Sequence, residues 1–214
     1  MKKVMILALV LMLVVVAVAA AGIRGSKHDM SNSGGQNTRV TNQDDLCVFC
    51  HTPHGSNTAM TAAPLWNRTA NQSNWTTNSA YTSTTLNGTA TGPYTSNAIS
   101  MACLSCHDGN TAGETLVNGP GSGTASVLTW QNSVFGTIAN LNDAAGLTND
   151  HPIGVLMPNA ADTGLYATIQ NVNVSAPGGT VQCSSCHDVH NNSIVPFLVS
   201  SNSGSQMCLA CHNK

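Results

Sequence analysis

The chain has 214 residues, 7 basic and 9 acidic side chains, and a charged fraction of only 7%, against roughly 25% in an ordinary soluble domain. Asn, Ser and Thr together number 67, which excludes a coiled coil or a bundle built on Glu, Lys and Ala. No Lys or Arg lies between Arg68 and Lys214, which excludes nucleic-acid binding by counterion release.

The apolar share of 42% is inflated by the amino terminus. Lys2 and Lys3 precede an uncharged apolar run over 4–21 that ends in small residues, with Ala17-x-Ala19 and Ala19-x-Ala21 as candidate cleavage sites. Basic, then apolar, then small is the layout of a secretory signal. A membrane anchor is the alternative, since about 18 apolar residues can just span a bilayer. Alanines dominate the end of the run and no basic stop-transfer cluster follows, so a signal peptide over 1–21 is expected. No cysteine sits near the cleavage region, which argues against a lipid anchor there. The mature chain, 22–214, keeps five basic and nine acidic residues, 5 − 9 = −4. It holds little aliphatic material, and something other than side chains should fill its core.

Beyond the signal, 22–46 forms a polar arm. The stretch from about 69 to 98 is rich in Thr, Asn and Ser, turns at Gly92-Pro93 and reads as irregular surface. Glycines and Pro120 make 109–125 a loop. Over 126–141 the run SVLTWQNSVFGTIANL mixes β-branched and aromatic residues and suggests one or two short strands. Leu165, Ala167 and Ile169 alternate with polar neighbours, another strand signal. Trp66, Trp75 and Trp130 read as core. The expected fold is mostly irregular coil, with short α-helices at the cysteine motifs and a few short β-strands. Such a backbone needs many polar partners, which the Asn, Ser and Thr can supply.

Every cysteine belongs to a Cys-x-x-Cys pair, and every pair is followed at once by His: Cys47, Cys50 and His51; Cys103, Cys106 and His107; Cys183, Cys186 and His187; Cys208, Cys211 and His212. This is the c-type haem attachment sequence. On a helical turn, residues three apart share a face, so two thiols can each form a thioether with one porphyrin. The following imidazole then reaches the iron. Disulfides would leave the histidines unexplained, zinc sites place His at other offsets, and redox Cys-x-x-Cys needs no His. Four covalently attached haems, numbered I to IV in chain order, are therefore expected. They would be arranged as a single unit around a haem chain, with 181–214 as a local two-haem unit.

Four histidines remain, His28, His54, His151 and His190, matching four irons that need a sixth ligand. Methionine is the competing ligand and raises the potential; Met30, Met60, Met101, Met157 and Met207 survive cleavage, and core filler is their expected role. His54 and His190 lie three residues after His51 and His187, on the proximal side of their own haems, so each is expected to ligate a neighbouring haem. Pro152 pushes His151 towards extended geometry, a way to hold its imidazole outward. His28, on the arm, suits haem I.

The segments SKHDMS (26–31), DLCVFCHTPHG (45–55), APLWNR (63–68), CLSCHDG (103–109), DHPIG (150–154), VQCSSCHDVHN (181–191) and CLACHNK (208–214) resemble the doubled Cys-x-x-Cys-His multihaem cytochromes of metal-reducing microbes. The resemblance is strongest to the outer-surface tetrahaem cytochromes of the cytochrome E type, which polymerise into extracellular filaments with a continuous haem chain. It implies a homopolymer in which His54 ligates a haem of the adjacent subunit, exchanging electrons with upstream and downstream redox proteins or an extracellular acceptor.

The expected function is electron transfer along four closely spaced bis-His haems, not enzymatic catalysis. The expected location is extracellular or at the cell surface, with the periplasm as alternative. A monomeric periplasmic shuttle and a multihaem reductase with one open haem are the competing readings. Asn-x-Ser/Thr acceptors such as Asn67, Asn71, Asn74, Asn87 and Asn191 matter only in a host that glycosylates exported proteins.

Overall fold

The computed structural model describes residues 3–7, 22–69, 81, 83–86, 98–108, 116–119, 128–132, 140–141, 146–148, 150–157, 159 and 162–213. Residues 3–7 are helical and exposed. The rest of the expected signal, Trp75, and most of the polar stretch over 69–98 lie outside the described residues. Among the described residues, no helix is long and apolar enough to cross a membrane.

The chain is mostly irregular, and its regular structure gathers at the cysteine motifs. α1 runs Ser100–His107 and α2 is the single turn Cys183–Cys186. The first and fourth motifs form 3-10 turns, Cys47–Phe49 and Cys208–Ala210. Two further 3-10 turns, Pro177–Gly179 and Ser203–Ser205, lie between motifs. α1 has no Gly, Pro or β-branched residue and no side-chain cap. Its stability comes from burial: Met101 and Leu104 are enclosed, and the Ser105 hydroxyl donates back to Ala102 O at 2.7 Å. α2 is too short to persist by propensity alone, but Gln182 and Ser185 close a capping box around it. The two helices are tied through one hydroxyl. Ser100 Oγ donates to Gln182 Oε1 at 2.5 Å and accepts from the Cys183 N–H at 3.0 Å.

Among the described residues, β-structure is limited to isolated antiparallel bridges. Of the expected strand run over 126–141, 126–127 and 133–139 lie outside the described residues, and Trp130 makes one bridge, to Val40. The alternation over 165–169 builds no strand. Leu165 bridges His212, and Tyr166 N and Gln170 N donate to Cys211 O (2.8 Å) and Ala210 O (2.7 Å). The partner there is the tight turn of the fourth motif, so no ladder can extend.

The aliphatic core is small. One cluster joins Met60, Ala63, Trp66, Met101, Ala102, Leu104 and Leu147; a second joins Met30, Val40 and Phe49. Met30, Met60, Met101 and Met157 are buried among these and neighbouring side chains, consistent with their expected role as filler. Buried polar residues stitch the coil. Asn67 is fully enclosed: its Nδ2 donates to Val48 O (2.6 Å) and Asn118 O (2.9 Å), and its Oδ1 accepts from the Asn118 N–H (2.9 Å). The acceptor sequence at Asn67 is therefore closed to modification in the fold, whereas Asn191 is exposed.

Candidate functional site

Each attachment motif is one helical turn. The His51, His187 and His212 N–H groups donate back to Cys47 O (2.7 Å), Cys183 O (3.1 Å) and Cys208 O (3.0 Å), and His107 closes α1. The turn brings both cysteines of a motif to one face. The chain then straightens at the histidine: His51 bridges Trp66, His187 bridges Leu198 and His212 bridges Leu165. Two of the proximal imidazoles are oriented by proline carbonyls. His51 Nδ1 lies 2.9 Å from Pro64 O and His187 Nδ1 3.0 Å from Pro196 O. A carbonyl on Nδ1 fixes the proton there and leaves Nε2 as the metal-binding nitrogen.

The other histidines lie against these. Ring centres are 6.1 Å apart for His28 and His107, 6.2 Å for His190 and His51, and 6.3 Å for His151 and His212. Two imidazoles on opposite sides of one metal have ring centres roughly 6 Å apart, because each nitrogen sits about 2 Å from the metal. Three of the four spare histidines thus stand at the spacing that a shared iron requires. His28 falls beside His107 of the second motif, whereas the sequence suggests haem I for it. The arm carries it past the first motif and seats its ring against Phe197, 4.6 Å between ring centres. His190 meets the first motif, not its own. His54 and His187 are both exposed, and among the described residues no ring contact joins either to another histidine, although His187 lies near enough to His28 to lower its pKa.

The donor set fits haem c. All eight cysteines are free thiols. No group of three or more His, Cys, Asp or Glu side chains among the described residues could hold a metal ion, so the motifs do not pool into a tetrahedral zinc site. The His28 Nδ1 and Trp66 Nε1 atoms are buried without a hydrogen-bond partner, and Trp66 stands edge-on to His51 at 5.7 Å.

The thiols of Cys50, Cys103, Cys106 and Cys183 are buried, whereas Cys47 and Cys208 are exposed. Burial pushes Cys50 up to about 12, reinforced by Cys106, and raises Cys106. A site that disfavours thiolate this strongly suits a neutral thioether. Cys103 hydrogen-bonds Cys183 and lowers it to about 7. Burial first, then Cys211 and Cys208, raises Cys186. Successive motifs therefore lie near one another: the second meets the third in the Cys103–Cys183 hydrogen bond, and Cys50 with Cys106 and Cys186 with Cys211 lie within electrostatic reach.

The residues that set these geometries were not visible in the spacing of the motifs. Pro64, Trp66 and Asn67 sit in APLWNR, whose only sequence-level signal was resemblance. Gln182 sits in VQCSSCHDVHN, singled out likewise by resemblance, whereas Pro196 and Ser100 gave no signal. Residues 176–214 match the family model described as "Doubled CXXCH motif", which supports covalent haem attachment at the third and fourth motifs. No curated protein matches the chain.

Proposed function

We propose that the chain is a tetrahaem c-type cytochrome that carries electrons and polymerises through a histidine given by one copy to the next. Cys47, Cys50, Cys103, Cys106, Cys183, Cys186, Cys208 and Cys211 would hold four haems covalently, with His51, His107, His187 and His212 as proximal ligands. The ring spacings support His190, His28 and His151 as sixth ligands of haems I, II and IV. An iron held by two imidazoles changes oxidation state and has no open position for a substrate, and imidazole pairs keep its potential low relative to Met/His ligation. The nearness of successive motifs, closest at Cys103 and Cys183, supports close haem-to-haem approach, which a wire requires and a single-site enzyme does not.

The observation that carries the polymer reading is the remainder in the ligand count. Among the described residues, the ring pairings leave His187 of haem III without a stacked second imidazole, although His28 lies within its electrostatic reach, and leave His54 without a proximal one; both are exposed. His54 from a second copy completes haem III, and the same pairing repeats from copy to copy. Low charge leaves little repulsion between copies. Export through the signal over 1–21, and a place outside the cell, belong to the same reading.

His54→Ala tests it. The variant keeps four haems, loses filaments in electron micrographs of native material, and leaves one high-spin haem per chain that binds carbon monoxide when reduced. Intact filaments with an unchanged spectrum would overturn the polymer reading. Three low-spin haems and a monomer in the wild type would leave the shuttle.

A further inference from the structure

We propose that the arm over residues 22–34 is a clasp that holds two sixth ligands at once: Gly22 fixes the backbone carrying His190, and the Asp29 carboxylate fixes the backbone carrying His28. The inference rests on the reading of His190 and His28 as iron ligands of haems I and II.

Gly22 approaches the third motif's tail so closely that no side chain fits. A Cβ there would lie 1.9 Å from His190 O, 2.6 Å from His190 C and 3.1 Å from Asn191 N. These are backbone atoms, so the neighbour cannot swing away as a flexible side chain could. The contact joins residues far apart in sequence and lands on the residue whose ring faces His51.

Seven residues on, Asp29 is 1% exposed. Its Oδ2 accepts from the Gly25 N–H at 2.7 Å; its Oδ1 accepts from the Ser31 N–H at 3.2 Å and from the Ser31 hydroxyl at 2.5 Å. Ser31 Oγ is in turn 2.9 Å from Ser33 Oγ. Gly34 closes over the same carboxyl-bearing residue, where a Cβ would lie 2.1 Å from Asp29 O. The His28 N–H donates to Ser26 Oγ at 3.1 Å, and Gln36 Nε2 holds Ser26 O at 3.1 Å. A buried carboxylate is costly unless its acceptor sites are filled. Here the filled sites fold the arm back on both sides of His28, and the ring is left pointing between His107 and Phe197. A group that fixes ligand orientation from outside the coordination sphere commonly changes metal binding 10- to 100-fold when removed.

The test uses the assembled holoprotein and counts high-spin haems by electron paramagnetic resonance and by carbon monoxide difference spectra. His190→Ala and His28→Ala are benchmarks, each creating one CO-reactive haem per chain beyond the wild type. Gly22→Val is expected to reproduce the first and Asp29→Leu the second, with haem content unchanged at four. Asp29→Asn keeps the Oδ1 acceptor and loses only the Gly25 contact, so it folds where the leucine variant fails, and it gives a fraction of the Asp29→Leu signal. A merely structural arm would lower the melting temperature without opening an iron. The clasp is overturned if the benchmarks open their haems while Gly22→Val, Asp29→Leu and Asp29→Asn stay as silent as the wild type. If the benchmarks themselves open no haem, the ligand assignment fails, and the clasp with it.

Discussion

Asn67→Ala removes a side chain that holds the first motif to the loop at Asn118. The wild-type side chain makes three hydrogen bonds, two donated from Nδ2 to Val48 O and Asn118 O and one accepted from the Asn118 N–H, all in a fully buried site. Each is worth about 0.5–1.5 kcal/mol, and truncation leaves buried backbone groups unpaired. The summed loss is roughly 2–4 kcal/mol. For a chain of this size about 1 kcal/mol moves the melting temperature by roughly 2–4 °C, so the midpoint should fall by about 4–16 °C. Thermal unfolding of the holoprotein, followed in the Soret band, reads it directly. Asn67→Asp keeps one acceptor but sets a buried carboxylate oxygen against the Val48 and Asn118 carbonyls, so it should fall at least as far. A midpoint within 1 °C of wild type for the alanine variant would refute the reasoning that buried amides, rather than aliphatic packing, hold this coil.

Acidification should release His28 before it unfolds the rest. Burial, with His107, His187 and His190 adding to it, lowers His28 from 6.5 to about 4. The ring is neutral in the fold and charges when released, so its stabilisation is complete above pH 6.5. It is lost as the pH falls towards 4, roughly 3 kcal/mol over that window for the ring free of iron, and denaturant titrations of the chain at pH 7, 5.5 and 4 check it. No change between pH 7 and 4 would contradict it. Gly55→Ala forces a left-handed residue at φ +63 and brings a Cβ within 2.9 Å of Asn118 Nδ2, which otherwise donates to His54 O and Gly55 O. About 1–2 kcal/mol of stability should go, together with much of the filament yield, since the same turn presents His54; denaturant titration and electron microscopy read the two effects.

The motifs, their helical turns and the coil-dominated fold were legible because they are local. Cys-x-x-Cys-His specifies its own turn, and the excess of Asn and Ser announces a backbone tied by side chains. The pairing of distant histidines was legible only in part. The three-residue offset of His190 from His187 excludes its own iron and leaves the recipient open. For His28, chain proximity suggests haem I, whereas Asp29, Ser31 and Gly34 turn the arm and carry the ring beside His107. Strand signals at 165–169 failed for a related reason: alternation describes a face, but the neighbour is a tight turn with no edge to offer. Gly22 against His190 had no signal at all, since close approach of two backbones is a tertiary fact.

The most direct measurement is the intact mass of the exported protein, taken with and without a thiol-alkylating reagent. The account predicts a chain bearing four haems and no alkylation at any of the eight cysteines. A mass with fewer haems, or alkylated cysteines within any of the four motifs, would contradict it.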